Sequence, residues 1–424
     1  MLRILIISNN CLSKTNSNGR TLLNLLGNFT ADEVYQFYVA NEVPQEEFCK
    51  EFLQITDRDI IKSYFCFSKK YSLFQNIQQN NSSELGKKIG GYGKKTVNKS
   101  LIRDILWNTS GWVKKKLIRF ANDKNIDLIL LQAGDNIFLH RLARKVAEKC
   151  SIPLLIYNTE DYYFKNYDYM QKKLHPSLMY KWYHRFFCRE FKKVIALSSD
   201  EVYNCEGLQQ LYNKTFNKSG KAIYAATNFI SVEKVCENGL ISYSGNLGCG
   251  RHLILMDVAN SLQKISSDLY LDVYGPGNPE IIADFKSCQG IHFHGFVSYD
   301  KVCQIIKDSR LLVHVESFDV YYQQDTRFAL STKLADYASS NVPIFICAPT
   351  SSETYNYMQN HNAAFVVSKK EEIQDVLKNA LFDTEDRDLK RANALILSRK
   401  NNNYEENGKK FRNIVEGIIN AESK

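Results

Sequence analysis

RFALSTKLADYASSNVP at residues 327–343, whose last proline opens the apolar run PIFICA at 343–348, is the stretch that decides the architecture. Ser331 or Thr332 can cap a helix, because a short hydroxyl there accepts a bond from a free N–H one turn on. The helix is predicted to end near Ser340. Asn341 tolerates the left-handed conformation that closes many helices, and Pro343 cannot continue one. On a helix of this phase Leu334, Tyr337 and Ala338 share an inward face, and Lys333 and Asp336 share another near its start. Unpaired N–H groups, a positive dipole end and a first-turn lysine suit a diphosphate. A carboxylate one turn further in can take a ribose hydroxyl pair. The same two residues also fit a plain exposed ion pair worth a few tenths of a kcal/mol, and spacing alone leaves both readings open.

Helix, turn and buried strand in succession imply an α/β protein. With 424 residues the chain exceeds one typical core, so two domains are expected. The composition, 44% hydrophobic and 24% charged, is that of a globular chain. No apolar run is long enough to span a bilayer, and MLRILIISNN at the start reads as a buried strand rather than a signal peptide. Eleven cysteines lie between Cys11 and Cys347 with no C-x-x-C pair, which argues against a disulfide framework or a zinc ribbon. They are read as reduced thiols of a cytoplasmic protein.

The formal net charge is +9. Residues 86–124 hold eleven Lys or Arg against two acids, a surplus equal to that of the whole chain. Within this block Val97, Leu101, Ile105 and Leu106 fall at helical spacing, and Trp107, Trp112, Leu117 and Phe120 follow among Lys114, Lys115 and Lys116. Two readings stay open. One is an anionic membrane interface, for which such a stripe is suited, and the other is an ordinary amphipathic helix with a solvated charged face. Nucleic acid is not favoured, since no base-stacking motif accompanies the charge.

Outward from the deciding stretch, α/β alternation recurs along the chain. Arg3–Ser8 is a strand, a polar loop runs to Gly19-Arg20, and a helix is predicted from Thr21. G-x-G-x-x-G is absent, which disfavours a nicotinamide dehydrogenase. Gly19 either lets a ligand approach or simply turns the chain. Val34–Ala40, Asp127–Gln132 and Pro153–Thr159 are predicted strands. Glu160-Asp161 follows the last of these, at the carboxyl end where open parallel sheets bind ligands. The pair can position an acceptor hydroxyl or cap the next helix. Aromatics and cations alternate from Tyr162 to Lys193, as a membrane-facing surface or as buried packing. Val194–Ser198 and Ala222–Thr227 are predicted as the last strands of this half. Asp57-Arg58-Asp59 has the D-x-D form that can hold a metal-nucleotide, but a helix start is the simpler reading, and the same pattern recurs at Asp386-Arg387-Asp388. Ser231–Asn238 reads as an interdomain link. Strands are then predicted at 241–245, 269–275, 291–297, 311–316 and 343–348, with helices from about Glu371 onward, including an amphipathic one near Tyr404–Ile419.

SYSGNLGCGRHLILM at 242–256, LDVYGPG at 271–277, IHFHGFVSYDKVCQII at 291–306, LLVHVES at 311–317 and STKLADYASSNVPIF at 331–345 together resemble the nucleotide-binding domain of a family 4 glycosyltransferase. Such enzymes are retaining and have the GT-B fold. The resemblance implies two Rossmann-like domains whose parallel sheets face a central cleft. The first, residues 1–230, would bind the acceptor and carry a basic insertion around 44–124. The second, 231–400, would bind the nucleotide-sugar, and a helix over 401–424 would cross back onto the first.

Carried over residue by residue, Arg251 falls at the second of two cations on the donor diphosphate and neutral Asn246 at the first. Asp336 falls at an acid that holds the ribose. Phe328 falls at a glutamate that contacts the donor sugar, so Asp325 and Arg327 become candidates for that contact. Glu160 or Asp161 stands where the family has a catalytic-loop histidine. The resemblance thus implies that Lys333, Arg251, Glu160 and Asp161 are catalytic. Gly245, Asn246, Gly275, Phe296, Val297, Ser331 and Thr332 would complete the donor site, and Gly19 and Glu160 would meet the acceptor. No metal or other cofactor is expected beyond the donor itself. The expected activity is retaining transfer, of hexosyltransferase type, from a nucleotide diphosphate-sugar to a saccharide in cell-surface polysaccharide biosynthesis. The acceptor would be lipid-linked and the protein peripheral on the inner face of the membrane. The competing expectation is a catalytically inactive membrane-associated scaffold of the same fold, favoured by Phe328, Asn246 and the absent histidine.

Overall fold

The computed structural model describes residues 2–14, 17–65 and 96–422. Lys87, Lys88, Lys94, Lys95 and the glycines of the basic block at 90, 91 and 93 lie outside them. Among the described residues thirteen strands form two sheets, and every pairing between strands is parallel. The first sheet contains β1 (Ile4–Ser8), β2 (Val34–Tyr38), β3 (Glu51–Gln54), β4 (Leu128–Gln132), β5 (Leu154–Asn158), β6 (Asp200–Tyr203) and β7 (Lys221–Ala222), in the order β3-β2-β1-β4-β5-β6-β7. The second contains β8 (Leu240–Ser244), β9 (Leu271–Tyr274), β10 (Ile291–Gly295), β11 (Ser309–Val315), β12 (Ile344–Cys347) and β13 (Phe365–Val367), in the order β10-β9-β8-β11-β12-β13. In each sheet the order reverses beside the first strand, so a crevice opens at the carboxyl ends there.

Helices cover the sheets, which is why β1, β4 and β5 are apolar up to their last residue and buried along their whole length. One apolar cluster lies between β1 and the helix Tyr404–Glu422, whose Phe411, Ile414, Val415 and Ile418 pack beside Ile4, Ile6 and Leu128. The chain's last helix therefore rests on the first sheet. A larger cluster joins the opposite face of that sheet to Leu312, Ile344, Leu334 and Tyr337 of the second, so the two halves share continuous packing.

Several predicted elements differ from those observed. Val194–Ser198 is not a strand. It ends the helix Leu178–Leu197, in which Phe187, Phe191, Val194 and Ile195 line the buried face, and the strand follows at Asp200. The β-branched pair mimics a strand because helix burial also selects it. Of Ala222–Thr227 only the first residue is in a strand. The first helix begins at Ser17, not Thr21, which places Gly19 inside it. β3, β13 and the helices Val320–Thr326 and Glu353–Asn360 have no counterpart among the predicted elements.

Candidate active site

Segments at the carboxyl ends of β8, β9 and β11 meet the start of the helix Thr332–Ser339. After β8 the chain turns at Gly245 and enters the helix Arg251–Ile265. Gly245 has φ +152°, and a side chain there would collide with Lys333 Nζ. After β9, Gly275 lies so close that a Cβ on it would run into the Gly245 carbonyl. Gly275 thus lets the two turns approach, and Gly245 leaves room for the lysine of a third segment at the end of the sheet. The helix Thr332–Ser339 starts as the sequence implied, with Ser331 in the cap position, although its hydroxyl makes no capping bond. Asn341 closes the turn with φ +67°.

Lys333 Nζ donates to the Ser244 carbonyl at 3.1 Å and lies 3.9 Å over the Tyr243 ring. Burial, reinforced by the nearby Arg251 charge, pushes its ammonium down to about 7. Arg251 is held by Glu316, beyond the end of β11, through Nε at 3.0 Å and Nη2 at 2.7 Å. Glu316 in turn faces His314 Nε2 at 3.2 Å. Burial would raise the Glu316 carboxyl, but the His314 bond and the Arg251 and Lys333 charges hold it below its usual range. Burial lowers His314 to about 4, so the ring is neutral and its Nε2 donates. The two cations were expected from the sequence. Glu316 and His314 were not, since they occur only as part of an apolar strand, LLVHVES. The signal for Glu316 was its place just past the strand's carboxyl end.

The net arrangement is two cations and one carboxylate under a helix N-terminus. An anion entering here meets the Lys333 ammonium and the Thr332–Ser339 N–H groups and competes with Glu316 for Arg251. Asn246 is exposed and accepts the Gly248 N–H at 2.8 Å, so it shapes the lip of the loop and adds no charge. Phe296, 79% exposed, and half-buried Val297 follow β10.

Asp336 does not pair with Lys333 on an exposed face. It is 1% exposed and its carboxylate receives Arg20 Nη2 at 3.2 Å, the Tyr299 hydroxyl at 3.1 Å and the Thr227 hydroxyl. Arg20 belongs to the first domain's helix Ser17–Leu25. Gly19, beside it, is buried, and a side chain there would strike the Cys11 carbonyl and Ser13 N–H. Gly19 thus lies in a helix rather than in a turn, where the chain packs closely against it.

A second set of contacts crosses the junction. Lys165 Nζ meets Asp325 at 3.0 Å and the Tyr167 hydroxyl donates to the same oxygen at 3.1 Å. Arg327 pairs with Asp161, which also accepts the Tyr212 hydroxyl and the Phe164 N–H. Asp325 and Arg327, expected at the donor sugar, are thus engaged in two ion pairs of opposite polarity. Asp161 also closes the turn after β5 through the Phe164 N–H; no helix starts there for it to cap. Glu160 is beside it, with its carboxyl raised by burial against the pull of Lys165 and Tyr162. The Phe328 carbonyl faces Asn204 Nδ2 at 3.4 Å. Each of these contacts comes from a segment past the carboxyl end of a strand, so the two sheets present their binding edges to one another.

The D-x-D segment is structural. Asp57 accepts Arg103 Nε at 2.9 Å and Trp107 Nε1 at 2.7 Å, while Asp59 bonds reciprocally with Thr56 at a helix start. Among the described residues no three His, Cys, Asp or Glu side chains gather to hold a metal ion. Trp107 and Leu117 are buried, and Trp112 and Phe120 pack against the same core, so these rings do not form a membrane-facing stripe. Of the predicted stripe Ile105 is exposed, and a further exposed apolar face lies on the helix Leu178–Leu197, where Leu178, Met179, Trp182 and Phe186 point outward among Lys181, Arg185 and Arg189. Among the described residues no helix is long and apolar enough to cross a membrane.

The sequence matches no protein-family model and no curated protein. Solved structures do match. HepE from Anabaena, in complex with UDP-glucose, aligns with a TM-score of 0.63 at 11% identity over 98% of this chain and 100% of its own. Sucrose-phosphate synthase from Thermosynechococcus elongatus aligns with a TM-score of 0.64 at 10% identity over 99% and 100%. WaaG, a glycosyltransferase involved in lipopolysaccharide biosynthesis, aligns with a TM-score of 0.56 at 11% identity over 96% and 98%. At such identities the likeness is one of architecture, and along nearly its whole length this chain has the two-domain GT-B fold that those proteins share.

Proposed function

We propose that the protein is a retaining glycosyltransferase of the family 4 type, moving a sugar from a nucleotide diphosphate-sugar to a saccharide acceptor. The observation that carries this is the grouping of Lys333, Arg251 and a helix N-terminus at the carboxyl ends of the second sheet. The relatives in fold support the same reading, since one was solved with UDP-glucose and another is involved in lipopolysaccharide biosynthesis.

As the bond from anomeric carbon to diphosphate breaks, negative charge grows on the leaving phosphate. Lys333, Arg251 and the helix N–H groups then bind the transition state more strongly than the ground state. The acceptor oxygen attacks from the same face, and its proton passes to the leaving phosphate, so no strong protein base is needed. Glu160 and Asp161 lie on the acceptor side, and no metal takes part in this scheme. The acceptor is a lipid-linked saccharide in cell-surface polysaccharide biosynthesis. The outward face of the helix Leu178–Leu197 supports that choice, because apolar rings set among exposed cations suit an anionic bilayer surface. The protein would work at the inner face of the membrane, with residues 1–230 binding the acceptor and 231–400 the donor.

One observation favours a non-catalytic scaffold instead: Asp336, Asp325 and Arg327 are all engaged across the junction. Thermal shift against a panel of sugar nucleotides, followed by assay of sugar transfer in the same wells, separates the readings. A ligand of the native state raises its melting temperature by mass action. Stabilisation with transfer supports the enzyme, stabilisation without transfer supports the scaffold, and no stabilisation by any sugar nucleotide overturns both.

A further inference from the structure

Arg20 comes from the first domain, yet its guanidinium partners are in the second. It lies 3.9 Å over the Tyr299 ring and 3.2 Å from Asp336. Its own side chain keeps 22% of its surface accessible, whereas the Asp336 side chain keeps 2%. The carboxylate is therefore closed off by its partners, and the cation at its rim is reachable from the cleft. A nucleoside diphosphate carries complementary chemistry for both members of the pair. Ribose hydroxyls suit the carboxylate, and phosphate oxygens suit the planar fork of a guanidinium better than a single carboxylate oxygen does. Another cation would add to the charge on the diphosphate, because Arg251 is partly neutralised by Glu316 and Asn246 nearby carries no charge.

We propose that Arg20 exchanges partners when the donor binds. It leaves Asp336 to the ribose hydroxyls and moves its guanidinium onto the diphosphate. The same side chain thus ties the domain junction through Asp336 and positions the bound nucleotide. This inference rests on the donor-site reading above.

The exchange predicts opposite effects on two ligands that differ only in their phosphates. Arg20→Gln should weaken binding of a nucleoside diphosphate about ten- to a hundredfold, the range for loss of a hydrogen bond to a charged group. Binding of the matching nucleoside should be unchanged or tighter, because nothing cationic then competes for Asp336. Arg20→Lys, which keeps charge without the fork, should recover part of the loss. Calorimetric titration and thermal shift with UDP, ADP and GDP against uridine, adenosine and guanosine, on wild-type and variant protein of matched circular dichroism, read both effects. Equal loss for nucleoside and diphosphate would mark Arg20 as merely structural and overturn the exchange. Unchanged binding of both would show that Arg20 never leaves Asp336 and would overturn it as well. If the wild-type protein binds none of the three diphosphates, the donor-site reading fails and the exchange with it.

Discussion

Lys333→Met removes the ammonium and keeps a flexible apolar chain to cover the Tyr243 ring, so charge is changed with little change in packing. If Lys333 acts like an oxyanion donor on the leaving diphosphate, its loss costs about 2–4 kcal/mol of barrier. At 1.36 kcal/mol per factor of ten, turnover should fall roughly thirtyfold to a thousandfold. Stability should move the other way or not at all, because burial already holds this lysine's pKa down to about 7, so the charged form is disfavoured in the folded chain. The assay is release of nucleoside diphosphate from pooled sugar nucleotides in the presence of membrane lipid extract, with melting temperature measured in parallel. Low turnover in a protein that melts at or above the wild-type temperature is the expected pair of results. Wild-type turnover in Lys333→Met would refute the assignment, and a large fall in melting temperature would show that the lysine serves the fold.

Proton linkage offers a second check. Lys333 has its pKa lowered from 10.5 to about 7, so between these values the unfolded chain binds more protons, and this group's contribution to stability rises with pH across that window. Lys333→Met should lose that rise, measured as the difference in melting temperature between the two proteins at pH 7 and pH 10. A bound diphosphate favours the charged lysine, so donor binding above pH 7 should take up a proton, seen as a buffer-dependent binding enthalpy. Gly275→Ala places a methyl group against the Gly245 carbonyl and should destabilise by about 1–3 kcal/mol, read by denaturant melts. Trp182→Glu removes an exposed ring from the basic face of the helix Leu178–Leu197 and should weaken sedimentation with anionic vesicles while leaving donor binding intact.

The second domain was the more legible half for a physical reason. Its strands are short apolar runs punctuated by Gly245, Gly275 and Pro343, and its glycine turns must pass close to one another, which fixes residue types at fixed spacing. Lys333 could be named because it sits in the first turn of a helix, whereas Arg251 was named only through the family resemblance. Glu316 and His314 were not named, since a buried hydrogen-bonded pair leaves no periodic trace and each residue looks like an irregularity at the end of a strand. The roles of Arg20, Lys165 and Tyr167 were equally hidden. They depend on contacts between residues more than 150 positions apart, which no local pattern encodes. The membrane reading failed at Trp107 because Asp57, fifty residues earlier, satisfies its indole N–H and lets the ring be buried.

Sugar transfer itself is tested most directly by incubating the wild-type protein with pooled sugar nucleotides, with and without membrane lipid extract, and measuring released nucleoside diphosphate together with labelled sugar in the lipid fraction. Extract-dependent release, matched by sugar appearing on lipid with its anomeric configuration kept, is the predicted result. Failure to release nucleoside diphosphate from any sugar nucleotide, by a protein that those nucleotides stabilise, would contradict it.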